Sequence, residues 1–262
     1  EVVGITIDEE GNRLLKHPWI QHFYNMVDNR EINPFNYVDF IKKIGESDGR
    51  AAMSFTVSQP AQGFAKAFCK SHDISETDWV IGIQAGASTE QKRWPVASFG
   101  ALTEELIKRG ARILLFGSGG ESELGGRIRE VIALPQDHVE RQLTDAIGKT
   151  SVQQLAALLS RCDLLITNDT GTMHMATAVG TQVVEISLGP VYFPETGPYG
   201  ESHIVLQTGM SCAPCGFYVQ CKNPVCQESI RVDQVLRIVE MLRTGHLATA
   251  HQLRNGPEWD HI

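Results

Sequence analysis

The sequence predicts an α/β fold, a Rossmann-like domain on a parallel sheet, and three observations carry that expectation. Short apolar runs without alternation recur, as in strands buried on both faces. Each is followed by a loop rich in small and hydroxyl residues, then by a stretch with helical spacing. The order strand, loop, helix repeats from about Trp79 onward, which implies right-handed crossovers within one sheet.

Before that point the pattern is irregular. Val2 to Ile7 reads as a buried strand, and Asp8 to Asn12 as a solvated turn. Trp19 to Ile41 mixes helical patches with a break at Asn33-Pro34. Ser54 to Lys70 has low charge and no assignable period. Trp79 to Gln84 is the first regular strand. Pro95 then opens a helix whose spaced apolar residues are Phe99, Leu102, Leu106 and Ile107. Ile113 to Phe116 is the next strand, with a helix from Glu121 to about Ile132. A further helix follows Thr150-Ser151 with Val152, Leu155, Leu158 and Leu159 on one face. Asp163 to Thr167 is a third strand, Gly171 to Val179 a short helix, Gln182 to Ile186 a fourth strand and Val232 to Arg243 the last helix. In such sheets ligands sit beyond the carboxyl ends of the strands. The loops after Gln84, Phe116, Thr167 and Ile186 are therefore expected to line one cleft. Trp19, Trp79 and Trp94 are expected in cores rather than as stacking platforms.

Composition narrows the function classes. Hydrophobic residues make up 42% of 262 and charged residues 21%, enough apolar area for a core. The net charge of -8 gives no electrostatic footprint for duplex nucleic acid. No run approaches the roughly 18 apolar residues of a membrane span, and no signal segment opens the chain. Cys69 and Cys162 stand alone, whereas Cys212, Cys215, Cys221 and Cys226 lie together. We read the compartment as reducing and the protein as cytoplasmic. Four thiolates are also a zinc ligand set, although the gap between the second and third is short. Free thiols are the leading reading and a zinc site the alternative.

Three loops carry phosphate-friendly chemistry. In Asn168-Asp169-Thr170-Gly171-Thr172-Met173-His174 a buried strand gives way to a helix start, whose free N–H groups favour an anion. Gly171 allows close approach, and His174 can face the same ligand. The plainer reading is that Asp169 or Thr170 caps the helix and His174 packs in the core. Gly86 to Arg93 offers small residues and hydroxyls, then the cations Lys92 and Arg93, as a diphosphate requires. Arg93 is equally readable as a surface cation. Gly117-Ser118-Gly119-Gly120 is a weaker third signal. Neither a P-loop nor a Gly-x-Gly-x-x-Gly fingerprint is present, so a nucleotide-diphosphate ligand is expected without either.

Four segments in order resemble the heptosyltransferases of glycosyltransferase family 9. They are Gly86-Ala87-Ser88 with Lys92-Arg93-Trp94-Pro95; Gly148-Lys149-Thr150-Ser151; Asn168-Asp169-Thr170-Gly171 with His174; and Leu188-Gly189-Pro190 with Gly197 to Gly200. The Cys-Ala-Pro-Cys segment is similar to that family's cysteine-rich tail. The resemblance covers roughly Trp79 to His246 and implies a GT-B fold. It implies transfer of heptose from an ADP-sugar to lipopolysaccharide core, inverting, with no metal and no cofactor. The alternatives are a nucleotide-sugar-binding module without catalysis, a transferase using another nucleotide sugar, or an interaction protein built around the cysteines.

By that similarity, Ala87, Ser88, Lys92, Gly117, Lys149, Thr150, Asp169, Thr170, Gly171 and His174 form the donor site. Lys149 and Thr150 would border the adenine, and an acidic residue for the ribose would fall near Gly119. The implied partners are the ADP-sugar and a lipopolysaccharide acceptor at the inner membrane surface, with no nucleic acid and no transmembrane segment. Residues 1–75 are expected to be part of an N-terminal, acceptor-side domain, and 76–262 the nucleotide-sugar domain. About 75 residues are too few for a typical domain of ~100 to 150. The chain, beginning at Glu1, is accordingly expected to be the C-terminal part of the enzyme, with its general base upstream.

Overall fold

The computed structural model describes residues 5–26, 30, 32–45, 47, 52–216 and 221–246. The chain opens with β1 (Ile5–Ile7) and β2 (Arg13–Leu15), an antiparallel ribbon. Its turn is solvated as expected: the Asp8 carboxylate accepts from the N–H groups of Glu10 and Asn12. Of the expected buried strand, Val2 to Gly4 lie outside the described residues, and Ile5–Ile7 is not buried. Ile5 is 47% and Ile7 67% exposed, because no second layer among the described residues covers the ribbon. Two short helices follow, α1 (Pro18–Asn25) and α2 (Tyr37–Ile44), separated at Asn33-Pro34. Trp19, Phe23, Phe35 and Phe40 pack edge to face between them.

The stretch without a readable period is α3 (Gln59–Ser71). Its small residues Ala61, Ala65 and Cys69 lie at helical spacing and bury against the main sheet. Next come β3 (Val80–Gln84), α4 (Val96–Lys108), β4 (Arg112–Leu115), α5 (Ser122–Val131), α6 (Gln136–Gln142) and β5 (Leu143–Asp145). The second half runs α7 (Val152–Leu159), β6 (Leu164–Asn168), α8 (Gly171–Ala178), β7 (Gln182–Ser187), α9 (Phe193–Thr196), β8 (Ile204–Gln207), α10 (Cys226–Ser229) and α11 (Val232–Arg243). β5 and β8, of three and four residues, were not expected from the sequence.

The six strands form one parallel sheet in the order β5-β4-β3-β6-β7-β8. Strands run outward one way from β3 and the other way from β6. The crossover direction therefore reverses between β3 and β6, and a crevice opens there at the carboxyl ends. One sheet face packs on α4, α5 and α11, the other on α3, α7 and α8. Trp94 is fully buried on the first face, with Nε1 donating to the Ile230 carbonyl at 2.8 Å. Trp79 packs against that core under the Arg243 guanidinium, 4.5 Å from its ring. Among the described residues no helix is long and apolar enough to cross a membrane.

Candidate functional site

A cleft of about 710 Å³ occupies the crevice at the β3/β6 reversal. All four strand-end loops expected there contribute: Gln84 to Arg93 after β3, Ser118 to Glu121 after β4, Asp169 to His174 after β6, and Thr196 after β7. One buried side chain ties the first and third loops together. Asn168 accepts from the Trp94 N–H at 3.0 Å and donates to the carbonyls of Ala85 at 2.9 Å and Gly86 at 3.1 Å. Asn168→Ala is expected to lower stability by about 1–3 kcal/mol, since it orphans buried backbone groups. Chemical denaturation would read this as a lower midpoint; an unchanged midpoint would remove the tie.

Thr170 caps α8, its side chain accepting from the Met173 N–H. Asp169 does not cap. Its Oδ2 accepts from Lys92 Nζ at 2.7 Å and from Thr196 Oγ1 at 3.4 Å. The pair is only 17% and 7% exposed, so water screens it weakly. Gly171 leaves open space over the helix start: no atom lies within 4 Å of where its Cβ would be. The first turn of α8 and the Lys92 ammonium thus present positive potential to one volume. His174 lines that volume rather than the core. Burial holds its imidazole below the ordinary value, and Lys92 adds to this while Asp169 opposes it. At neutral pH it is a neutral hydrogen-bonding group.

Ala87 and Ser88 line the cleft, and Arg93 reaches it while its guanidinium donates back to the Ala87 carbonyl at 3.1 and 2.8 Å. Gly117, Lys149 and Thr150 do not line it. Gly117 packs on Ile147, and Lys149 Nζ donates to the Asp145 carbonyl at 2.8 Å. The loop after β4 sends in Ser118, Gly120 and Glu121 instead. Glu121 Oε2 accepts from the Ser118 N–H and hydroxyl at 2.7 and 2.8 Å. Its carboxylate lies where a Cβ of residue 86 would stand, so a larger residue at 86 would displace it. Thus an acidic group enters the cleft two residues after Gly119.

Tyr37, Gln84, Glu121, Thr172 and Thr196 also line the cleft and are not among the donor-site residues that the resemblance implied. The spacing Ser118-x-x-Glu121 was a readable capping box. Tyr37 and Thr196 arrive from distant segments and carry no local signal. The four clustered cysteines are free thiols, Cys212 and Cys221 exposed, Cys215 and Cys226 half-buried. Among the described residues no three His, Cys, Asp or Glu side chains come together as metal ligands.

Comparison with known proteins identifies the family and the fold. The family model for glycosyltransferase family 9 (heptosyltransferase) matches residues 38–225. The chain is 30% identical over 170 residues to lipooligosaccharide heptosyltransferase 2 of Campylobacter jejuni, covering 63% of this chain and 52% of that one. It is 31% identical over 129 residues to lipopolysaccharide heptosyltransferase 2 of Escherichia coli, covering 49% and 36%. The chain therefore spans about half the length of these curated relatives, or less. Among solved structures it superposes on a family 9 glycosyltransferase from Veillonella parvula with a TM-score of 0.70 at 26% identity, covering 80% of this chain and 60% of that one. For the ADP-heptose lipopolysaccharide heptosyltransferase II of E. coli the TM-score is 0.60 at 25% identity, covering 74% and 54%. The fold is that of GT-B heptosyltransferases.

Proposed function

The chain belongs to glycosyltransferase family 9, and from that premise we propose that its cleft binds the ADP-heptose donor of a heptosyltransferase acting on lipopolysaccharide core. The observation that carries the reading is the half-buried Lys92, held by Asp169 beside the open start of α8 in the crevice of a parallel sheet. A diphosphate there accepts from Lys92 and from the free N–H groups of the helix start. Lys92 and the helix start would also stabilise the charge that gathers on ADP as the bond from the sugar's anomeric carbon to the phosphate oxygen breaks. Inversion follows when the acceptor hydroxyl attacks the opposite face. Glu121 supplies the carboxylate that suits the ribose hydroxyls. The Lys149–Thr150 segment follows β5, the strand outside β4 in the sheet, and the adenine is assigned to it in this reading. The absence of a membrane-crossing helix among the described residues suits a protein that meets its lipid-linked acceptor at the cytoplasmic face as a peripheral enzyme.

Calorimetric titration with ADP and with ADP-heptose tests the reading directly. Saturable binding of both at one site is the expected result, and binding of neither would reject it. The sequence contains no Asp-x-Asp to chelate a metal onto the diphosphate, and Lys92 with the α8 start offers the neutralising charge instead. ADP affinity is therefore expected to be unchanged by EDTA. A loss of affinity restored by magnesium would show that a cation takes part in holding the diphosphate.

A further inference from the structure

The two ends of the cleft differ in origin. Sheet order puts the loop after β4, with Glu121, at one end and the loop after β7, with Thr196, at the other. Lys92, Asp169 and the α8 start lie between them. A diphosphate held in that middle has its nucleoside toward one end and its sugar toward the other.

The β7 end holds a lining residue from outside the sheet domain. Tyr37, the first residue of α2, reaches the cleft from the N-terminal segment. Its position is fixed from several sides. Arg30 Nε donates to Glu195 Oε2 at 2.7 Å, and Asn33 Nδ2 donates to Glu195 Oε1 at 3.0 Å. Asn36, the cap of α2, donates to the Gly197 carbonyl at 3.3 Å. Further along α2, Tyr199 Oη donates to Asp39 at 2.8 Å. These contacts join α2 to α9 and the turn after it, which carry Thr196. The ring of Tyr37 packs edge to face on Phe23, with centroids 4.7 Å apart. A phenol this constrained loses little entropy when it takes up a ligand.

We propose that Tyr37 is a binding residue for the sugar half of the nucleotide-sugar, its hydroxyl donating to a sugar hydroxyl. The proposal rests on the reading of the cleft as an ADP-sugar site, with the ribose at Glu121 and the sugar at the opposite end. Burial, with Glu195 next, pushes the Tyr37 phenol up to about 12. The group is thus a proton-bearing donor throughout the neutral range and is not suited to act as a base there. Asp169 and Arg30 also act on it electrostatically, so it stands close to the charged centre of the site.

Tyr37→Phe tests this, because it keeps the ring on Phe23 and removes only the hydroxyl. Calorimetric titrations of both proteins would use ADP and ADP-heptose. The expected result is ADP affinity unchanged within about twofold and ADP-heptose affinity reduced about five- to tenfold, as for one lost hydrogen bond. ADP serves as the internal control for folding, since it shares every contact except those to the sugar. Equal affinity of both proteins for ADP-heptose would overturn the proposal. Equal weakening for the two ligands would also overturn it, by putting Tyr37 on the nucleotide side or in a purely structural role. If the unmodified chain bound neither ligand, the functional reading itself would fail, and that outcome is distinct from the other two.

Discussion

Lys92→Ala is expected to weaken ADP binding by roughly 1.5 to 3 kcal/mol, the range for a charged hydrogen bond, or about 10- to 150-fold. Two effects act in the same direction. The variant would lose the ammonium proposed to meet the phosphates, and it leaves Asp169 buried without the cation now 2.7 Å away. An uncompensated carboxylate in the cleft repels a diphosphate directly. The same loss lowers stability, so the binding measurement needs a thermal midpoint beside it. Adding Asp169→Asn to Lys92→Ala separates the effects: it removes the repulsion, and part of the affinity is expected to return. Unchanged ADP affinity in the single variant would reject Lys92 as a phosphate ligand.

The second large effect concerns a residue beneath the cleft. Glu185 is fully buried in β7, beside Thr167 of β6, and neither carboxylate oxygen has a hydrogen-bond partner among the described residues. Burial, and then the Asp169 charge, holds its carboxyl well above the ordinary 4.5, with Lys92 opposing. The folded protein therefore keeps a proton that the unfolded chain releases. The contribution to stability is complete below pH 4.5 and declines as pH rises from there toward the raised folded value. Across that window the slope is about 1.4 kcal/mol per pH unit. Glu185→Gln is expected to abolish this slope and to make the protein more stable than the parent at pH 8. Urea denaturation of both proteins at pH 5, 6.5 and 8 measures it. Parallel pH profiles would mean that Glu185 is ionised in the fold. Because Gln remains a buried polar group, Glu185→Leu is expected to be more stable still at every pH, by about 1–3 kcal/mol.

Much of this protein was legible along the chain wherever the signal is local. The runs at Val80–Gln84, Leu164–Asn168 and Gln182–Ser187 are continuous enough to identify buried parallel strands. Strand-to-helix turns at Gly86 to Arg93 and Asn168 to Gly171 present hydroxyls, a cation and a helix start through residue type alone, and Lys92, Asp169, Gly171 and His174 do share one cleft.

Tertiary structure alone decided which distant segments meet. Ala61, Ala65 and Cys69 gave no usable amphipathic contrast in an interval of low charge, and α3 became recognisable only from what it packs against. The ribbon of Ile5–Ile7 has an apolar sequence yet stays exposed, because burial depends on a covering layer and not on the strand itself. Lys92 and Asp169 lie 77 positions apart, Arg30 and Glu195 lie 165 apart, and nothing near any of them names its partner. Sequence periodicity reports how a residue faces its own element. The pairing of charges across the cleft, the entry of Tyr37 and the raised proton affinity of Glu185 are set by three-dimensional distance and local dielectric, which no stretch of neighbouring residues encodes.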